Sequence, residues 1–213
     1  MSDNPRFVLG VDLDGVCADF IRGLRPIAAA WLGVDVATLT DTPSHGFPEW
    51  DLCRIGGPDP EEAYGHLHRY AVTQKDLFQN LPIVPGSDVT LRRLSHVHRL
   101  RVRIITHRLF IQHFHETAIQ QTVKWLDLHD IPYYDLCFMG DKGAVGANLY
   151  LEDTPRNIIA LKDAGKDVVI FSNSTNRDLG GERAENWSEV ESIVLQRLEQ
   201  LVRREQSTNR SED

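Results

Sequence analysis

Val8-Leu9-Gly10-Val11-Asp12-Leu13-Asp14-Gly15-Val16-Cys17-Ala18-Asp19-Phe20 is the stretch whose reading decides the fold. Its opening run is apolar with no polar alternation, the pattern of a strand covered on both faces, as in a parallel sheet flanked by helices. The run ends on two carboxylates two residues apart, and Asp14-Gly15 supplies the turn that stops it. In open parallel sheets ligands collect at the carboxyl ends of the strands, so Asp12 and Asp14 are delivered to the edge where chemistry is done. A merely solvated strand end is the bland alternative for such a pair, and the rest of the chain decides between the two.

Outward from this strand, apolar residues recur at helical spacing from Ala18 to Leu32, and Gly33 ends the pattern. Residues 34–60 then break up around Pro and Gly clusters, and Asp59-Pro60-Glu61-Glu62 has the cap, first-turn proline and acidic first turn of a helix running to about Ala71. After Leu81-Pro82-Ile83-Val84-Pro85-Gly86, Ser87 is expected to cap a helix reaching about Val97. Strands follow at Val102–Ile105, Asp135–Met139, Leu149–Leu151 and Val168–Phe171, with helices at Phe114–Leu128 and Arg156–Ala164 between them. Ser188-Glu189-Val190-Glu191 has capping-box form and opens a last helix with an apolar stripe through Val190, Ile193, Val194, Leu198 and Leu201. Such strand–helix alternation forces a parallel sheet between two helical layers. The expectation is an α/β, three-layer, Rossmann-like fold: a core from residues 1–18 and 81–205, a small, mostly helical module over 19–80 inserted after the first strand, and a disordered tail at 206–213.

Composition narrows the function classes. With 213 residues the chain can build one sizeable core, and a formal net charge of −8 argues against a nucleic-acid polymer as partner. Cys17, Cys53 and Cys137 share no metal-type spacing and read as free thiols in a reducing cytoplasm. The polar start and the lack of a long apolar run predict no signal peptide and no membrane association.

Four features fall at strand ends: Asp12 with Asp14, Thr106 with Arg108, Lys142, and Glu152 with Asp153. Hard carboxylate oxygens such as those of Asp12 and Asp153 suit Mg²⁺. A hydroxyl at Thr106 and an ammonium at Lys142 suit the oxygens of a phosphoryl group, and Arg108 is a further candidate for gripping it. An ionised aspartate can attack phosphorus, while a second carboxyl nearby moves the protons. The segment around Lys142 lacks the Gly-Lys-Ser/Thr ending of a nucleotide-binding loop. The pairs His66/His68, His96/His98 and His113/His115 stand two apart on helical segments, where they do not share a face, which argues against zinc. Phe20, Phe47 and Trp50 either stack on a flat substrate group or form the inserted module's own small core.

Taken together, Asp12-Leu13-Asp14-Gly15-Val16, Thr106, Lys142 and Glu152-Asp153 resemble the four motifs of the haloacid dehalogenase superfamily of phosphohydrolases. More narrowly, residues 12–20, Leu-Pro-Ile-Val-Pro-Gly at 81–86, and Asp141-Lys142 followed by Asn148-Leu149-Tyr150-Leu151-Glu152-Asp153 are similar to the 5′(3′)-deoxyribonucleotidase family. The resemblance implies Asp12 as nucleophile and Asp14 as general acid and base. It also implies Mg²⁺ held by Asp12, the Asp14 main-chain carbonyl and Asp153 with Glu152 in the outer shell, and a phosphoryl group bound by Thr106 and Lys142. The activity it implies is Mg²⁺-dependent hydrolysis of nucleoside monophosphates, 5′(3′)-deoxyribonucleotides above all, in deoxyribonucleotide catabolism. The implied partner is a small phosphorylated substrate, with a homodimer left open. Two alternatives stand beside it: a phosphatase for another metabolite such as a sugar phosphate, and a catalytically weak phosphate-binding relative. The latter draws only on Asn148, where the family usually carries Asp and where a lost negative charge either weakens metal binding or is neutral.

Overall fold

The structure, a computed structural model, describes residues 7–110 and 113–211. In chain order its elements are β1 (Val8–Val11), α1 (Phe20–Leu32), α2 (Cys53–Gly56), α3 (Pro60–Lys75), α4 (Leu77–Asn80), α5 (Ser87–His96), β2 (Arg101–Thr106) and α6 (His115–Leu128). They continue with β3 (Asp135–Phe138), β4 (Leu149–Glu152), α7 (Pro155–Asp163), β5 (Val168–Phe171), β6 (Arg183–Ala184) and α8 (Trp187–Ser211). The strands form one parallel sheet in the order β3-β2-β1-β4-β5-β6, which is the expected α/β, Rossmann-like architecture. β1 sits between β2 and β4, and the chain leaves it first toward one side and then toward the other. Its carboxyl end is therefore the switch point at which such sheets bind ligands.

Register does the rest. Val11 pairs with Ile104 on one side and Leu151 on the other, and the Asp12 amide donates to the Leu151 carbonyl at 3.0 Å. The ends of three strands thus come level, so Asp12, Thr106 and Glu152-Asp153 meet although they are far apart in sequence. Leu9 and Val11 are fully buried, as a strand covered on both faces requires.

Between β1 and α5 the described chain forms helices, short 3₁₀ turns and loops, and no strand. α1 starts where Asp19 accepts from the Arg22 amide and stops at Gly33 in the left-handed region, while α3 opens as read, with Asp59 accepting from the Glu62 amide and Pro60 in the first turn. Other boundaries differ. Gly86, at φ 86°, is the N-cap of α5 in place of Ser87, because the tight turn after Pro85 needs a left-handed residue. Ser87 instead donates its hydroxyl to the Cys17 carbonyl at 3.4 Å, tying the helix start to the loop after β1. The last helix is capped two residues early: Asn186 accepts from the Glu189 amide, and Glu189 reaches back to the Glu185 amide. That shift buries Trp187, whose indole donates to the Val16 carbonyl at 3.0 Å. α8 also runs on to Ser211, over most of the tail expected to be disordered, since neither Gly nor Pro interrupts it after Arg204.

Candidate active site

At the head of β1, the buried Asp12 carboxylate meets the Lys142 ammonium at 2.7 Å. Lys142 rises from a 3₁₀ turn (Lys142–Val145) and reaches Glu152 as well, at 2.6 Å. The other Glu152 oxygen accepts from the Asp153 and Thr154 amides and from Asn157. With its oxygens taken in this way, Glu152 is built to aim Lys142 and brace the loop after β4.

Asp153 is held by side chains that the motif reading did not include. Asn173 donates to its Oδ2 at 2.7 Å, and Asn176 binds its main-chain carbonyl at 2.8 Å while also bonding Phe171. Gly15 faces it: a Cβ there would lie 1.9 Å from Asp153 Oδ2, and Gly15 sits at φ 84°, so this turn demands glycine twice over. Carboxylate oxygens of Asp12, Glu152 and Asp153 lie within 4.8 Å of one another. Three buried anions with one ammonium between them repel each other. Burial first, and the Glu152 charge second, push the Asp12 carboxyl well above its usual range and that of Asp153 up to about 7. Lys142, between two carboxylates, is held firmly protonated, its pKa raised despite its burial. A dense set of hard oxygens with excess negative charge fits a divalent ion such as Mg²⁺.

Thr106 closes β2, buried, and lines the same cavity of about 1110 Å³. Asp14 and Arg108 line it too, but Arg108 is not arranged as a phosphate ligand. Its Nε and Nη2 donate to the two oxygens of Asp14 at 2.9 and 2.6 Å, and its Nη1 donates to Thr122 Oγ1 at 3.0 Å. The guanidinium also lies over the Phe78 ring, 4.2 Å from its centroid. The fork fits a carboxylate bidentately, so Arg108, expected to grip phosphate, is instead engaged with Asp14 in this structure.

On the cavity's helical side stand Phe20 and Phe47, with Tyr64 of α3, which sequence reading did not single out, and His68, which it weighed only as a zinc pair with His66. Tyr64 lies 5.6 Å from Phe47 and 5.7 Å from His68, ring centre to ring centre, and Phe20 lies 6.0 Å from His68. Their spacing of four on one helix was the available signal. Burial lowers the His68 pKa to about 4, so its ring is neutral at ordinary pH. Trp50 is no part of this wall. It is 1% exposed, stacks on Phe47 at 4.7 Å and donates its indole N–H to the Thr40 carbonyl, which makes it core of the inserted helices. Asn148 is also displaced from its expected role: its Oδ1 accepts from the Val8 amide at 2.7 Å, at the amino end of β1. The length of β1, roughly 13 Å at about 3.3 Å per residue, separates it from the acids, so it has no hold on the metal site.

The family described as 5′ nucleotidase, deoxy (Pyrimidine), cytosolic type C protein matches residues 6–200. The chain belongs to this family. It is an enzyme of the 5′-nucleotidase type, a phosphoric monoester hydrolase. A Chlorobaculum tepidum protein with the provisional name 5′(3′)-deoxyribonucleotidase is 47% identical over 194 residues, covering 91% of this chain and 92% of its own. Among solved structures, a haloacid dehalogenase-like hydrolase from Streptococcus pneumoniae superposes with a TM-score of 0.57 at 15% identity, over 89% of this chain and 98% of its own. A haloacid dehalogenase-superfamily hydrolase from Geobacter sulfurreducens gives 0.55 at 15% identity, over 91% and 99%. These two establish the haloacid dehalogenase-like fold. Among the described residues no helix is long and apolar enough to cross a membrane.

Proposed function

We propose that this chain is a Mg²⁺-dependent phosphatase of nucleoside monophosphates, deoxyribonucleotides in particular, acting through an aspartyl-phosphate on Asp12. One observation carries the reading: the buried Asp12 carboxylate, paired with Lys142, lines a cavity that is also lined by the aromatic set Phe20, Phe47 and Tyr64. A phosphoryl group belongs at the first and a flat base against the second. A sugar phosphate would leave that wall without a planar partner.

Asp12, Asp153 and the Asp14 main-chain carbonyl would hold Mg²⁺, with Glu152 behind them; when bound, the ion supplies positive charge to the phosphoryl oxygens. The chain's own residues do the rest. Lys142 and Thr106 orient the phosphoryl oxygens, and Lys142, charged at any working pH, stabilises them in the transition state. An Asp12 oxygen bonds to phosphorus as the ester P–O bond breaks, and Asp14 gives a proton to the departing nucleoside oxygen. Water then attacks the same phosphorus, Asp14 takes its proton, and the Asp12–phosphorus bond breaks to release inorganic phosphate. We read residues 19–80 as a cap that covers the cavity and excludes bulk water, a reading supported by the Ser174 hydroxyl bonded to the Pro43 carbonyl across the two parts at 2.6 Å. The cytosolic type named in the family description supports a cytoplasmic location. Phosphate release from a panel of nucleotides and sugar phosphates, with and without Mg²⁺, tests the substrate class. Turnover that survives in Asp12→Asn would remove the mechanism.

A further inference from the structure

We propose that Arg108 is the positioning residue for Asp14, fixing the acid–base carboxylate against the seam between the inserted helices and the sheet. This deepens the function proposed above and rests on it. Asp14 needs such a device. It stands on a loop beyond the end of β1, with a side chain 24% exposed, and it is not one of the three acids clustered around Lys142. An aspartate there has rotamers to choose from, and only some bring an oxygen to the leaving group.

Arg108, 1% exposed, removes that freedom. A bidentate fork fixes the plane of the carboxylate as well as its distance. The fork uses one lone pair on each Asp14 oxygen and leaves a second on each to carry a proton. The guanidinium is itself held on two further sides. Thr122 on α6 accepts from Nη1, and the Thr122 hydroxyl is already committed as a donor to the Ala118 carbonyl at 2.6 Å, so its oxygen is oriented to receive that bond. Phe78, on α4, supplies the ring beneath the guanidinium.

α4 is the last helix of the inserted segment, and Gln121 on α6 pins it by accepting from the Phe78 amide and donating to Asp76 and to the Val72 carbonyl. The Phe78 ring then meets His68 at 5.4 Å, and His68 meets Tyr64. One packed line therefore runs from the acid–base carboxylate, through Arg108 and Phe78, to the aromatic wall proposed to meet the base. A substrate that seats against that wall is thereby linked, through His68 and Phe78, to Arg108.

The proposal separates from a phosphate-binding role by the leaving group. A nucleoside oxygen departs as a strong base and needs Asp14's proton in place, whereas p-nitrophenolate departs without it. kcat/KM reports the steps up to departure of that group. In Arg108→Met, kcat/KM with the best nucleotide should fall about 100-fold, the scale of a lost general acid, with that for p-nitrophenyl phosphate staying within about three-fold. Inhibition by inorganic phosphate should be unchanged. Equal losses on both esters, or weakened phosphate inhibition, would overturn the proposal and return Arg108 to the phosphate. Should Arg108→Met fail to fold, Thr122→Val decides: it removes one brace and keeps the ion pair, so a selective several-fold loss on the nucleotide supports the proposal, and an unselective loss or none overturns it. If the wild-type enzyme hydrolyses p-nitrophenyl phosphate but no nucleotide, the functional reading has failed separately. Arg108 is then judged on an alkyl phosphate in the nucleotide's place.

Discussion

Mixing the protein with Mg²⁺ at different pH values should expose the repulsion stored among Asp12, Glu152 and Asp153. Burial and the neighbouring Glu152 charge raise the Asp153 pKa from 3.8 to about 7, so the folded protein holds a proton there that the unfolded chain gives up. As pH rises above 3.8 the unfolded state ionises first and its free energy falls relative to that of the folded one. Stability from this group is therefore lost with rising pH, until the folded carboxyl also ionises near 7. One pKa step corresponds to 1.36 kcal/mol, so between pH 5 and 7 the metal-free protein should lose roughly 2 to 3 kcal/mol from Asp153, with Asp12 shifted in the same direction. For a chain of this size that is a fall in Tm of roughly 4 to 12 °C. Thermal melts followed by circular dichroism in EDTA at pH 5, 6, 7 and 8, on wild type and Asp153→Asn, isolate the effect as the difference in slope. The Asn variant should lack the part of the fall that Asp153 contributes and keep only that of Asp12. Saturating Mg²⁺ should restore wild type more at pH 8 than at pH 5, because the ion competes with the proton for the same oxygens, and should do little for the variant. A wild-type Tm in EDTA that is flat or climbing from pH 5 to 7, relative to Asp153→Asn, would refute the account of the acids as mutually strained.

Tyr64→Ala should raise KM for the preferred nucleotide about ten-fold or more, the worth of about 1.4 kcal/mol of lost stacking. KM for p-nitrophenyl phosphate should change less, as steady-state kinetics on the two substrates will show. Trp50→Ala should cost about 3 to 5 kcal/mol in urea unfolding, because it empties a fully buried site and orphans the Thr40 carbonyl, without the substrate-selective KM change expected of Tyr64. Gly15→Ala should cut activity sharply and weaken Mg²⁺ binding measured by calorimetry, since a methyl group 1.9 Å from Asp153 Oδ2 forces that carboxylate away.

How much of this was legible in the sequence depends on the length over which each signal acts. β1, α3 and β5 were readable because a buried strand or a capped helix writes its pattern into consecutive residues, and the parallel register of β1 with β2 and β4 then brings Asp12, Thr106, Glu152 and Asp153 together with no further information. β6 was not readable: two residues, Arg183 and Ala184, are too few to show a period and pair only because β5 offers an edge. Asn148 was misjudged by proximity in sequence, since a side chain at one end of a four-residue strand and an acid at the other face opposite ends of the sheet. Asn173 and Asn176 sit beyond β5, about 20 residues after the aspartate they hold, where a polar loop gives no sign of its target. Arg108 is the sharpest case. Its position after Thr106 correctly puts its Cα at the site, but a long side chain goes where its neighbours send it. Those neighbours, Thr122 and Phe78, come from two different helices, and their arrangement exists only once α4 and α6 have packed. Residues that a strand end carries to the candidate site are thus fixed by local pattern and register. Residues that aim other side chains are fixed by helix packing, and it is there that a chain can redistribute the same charges, turning an arginine placed to meet phosphate into the support of an aspartate.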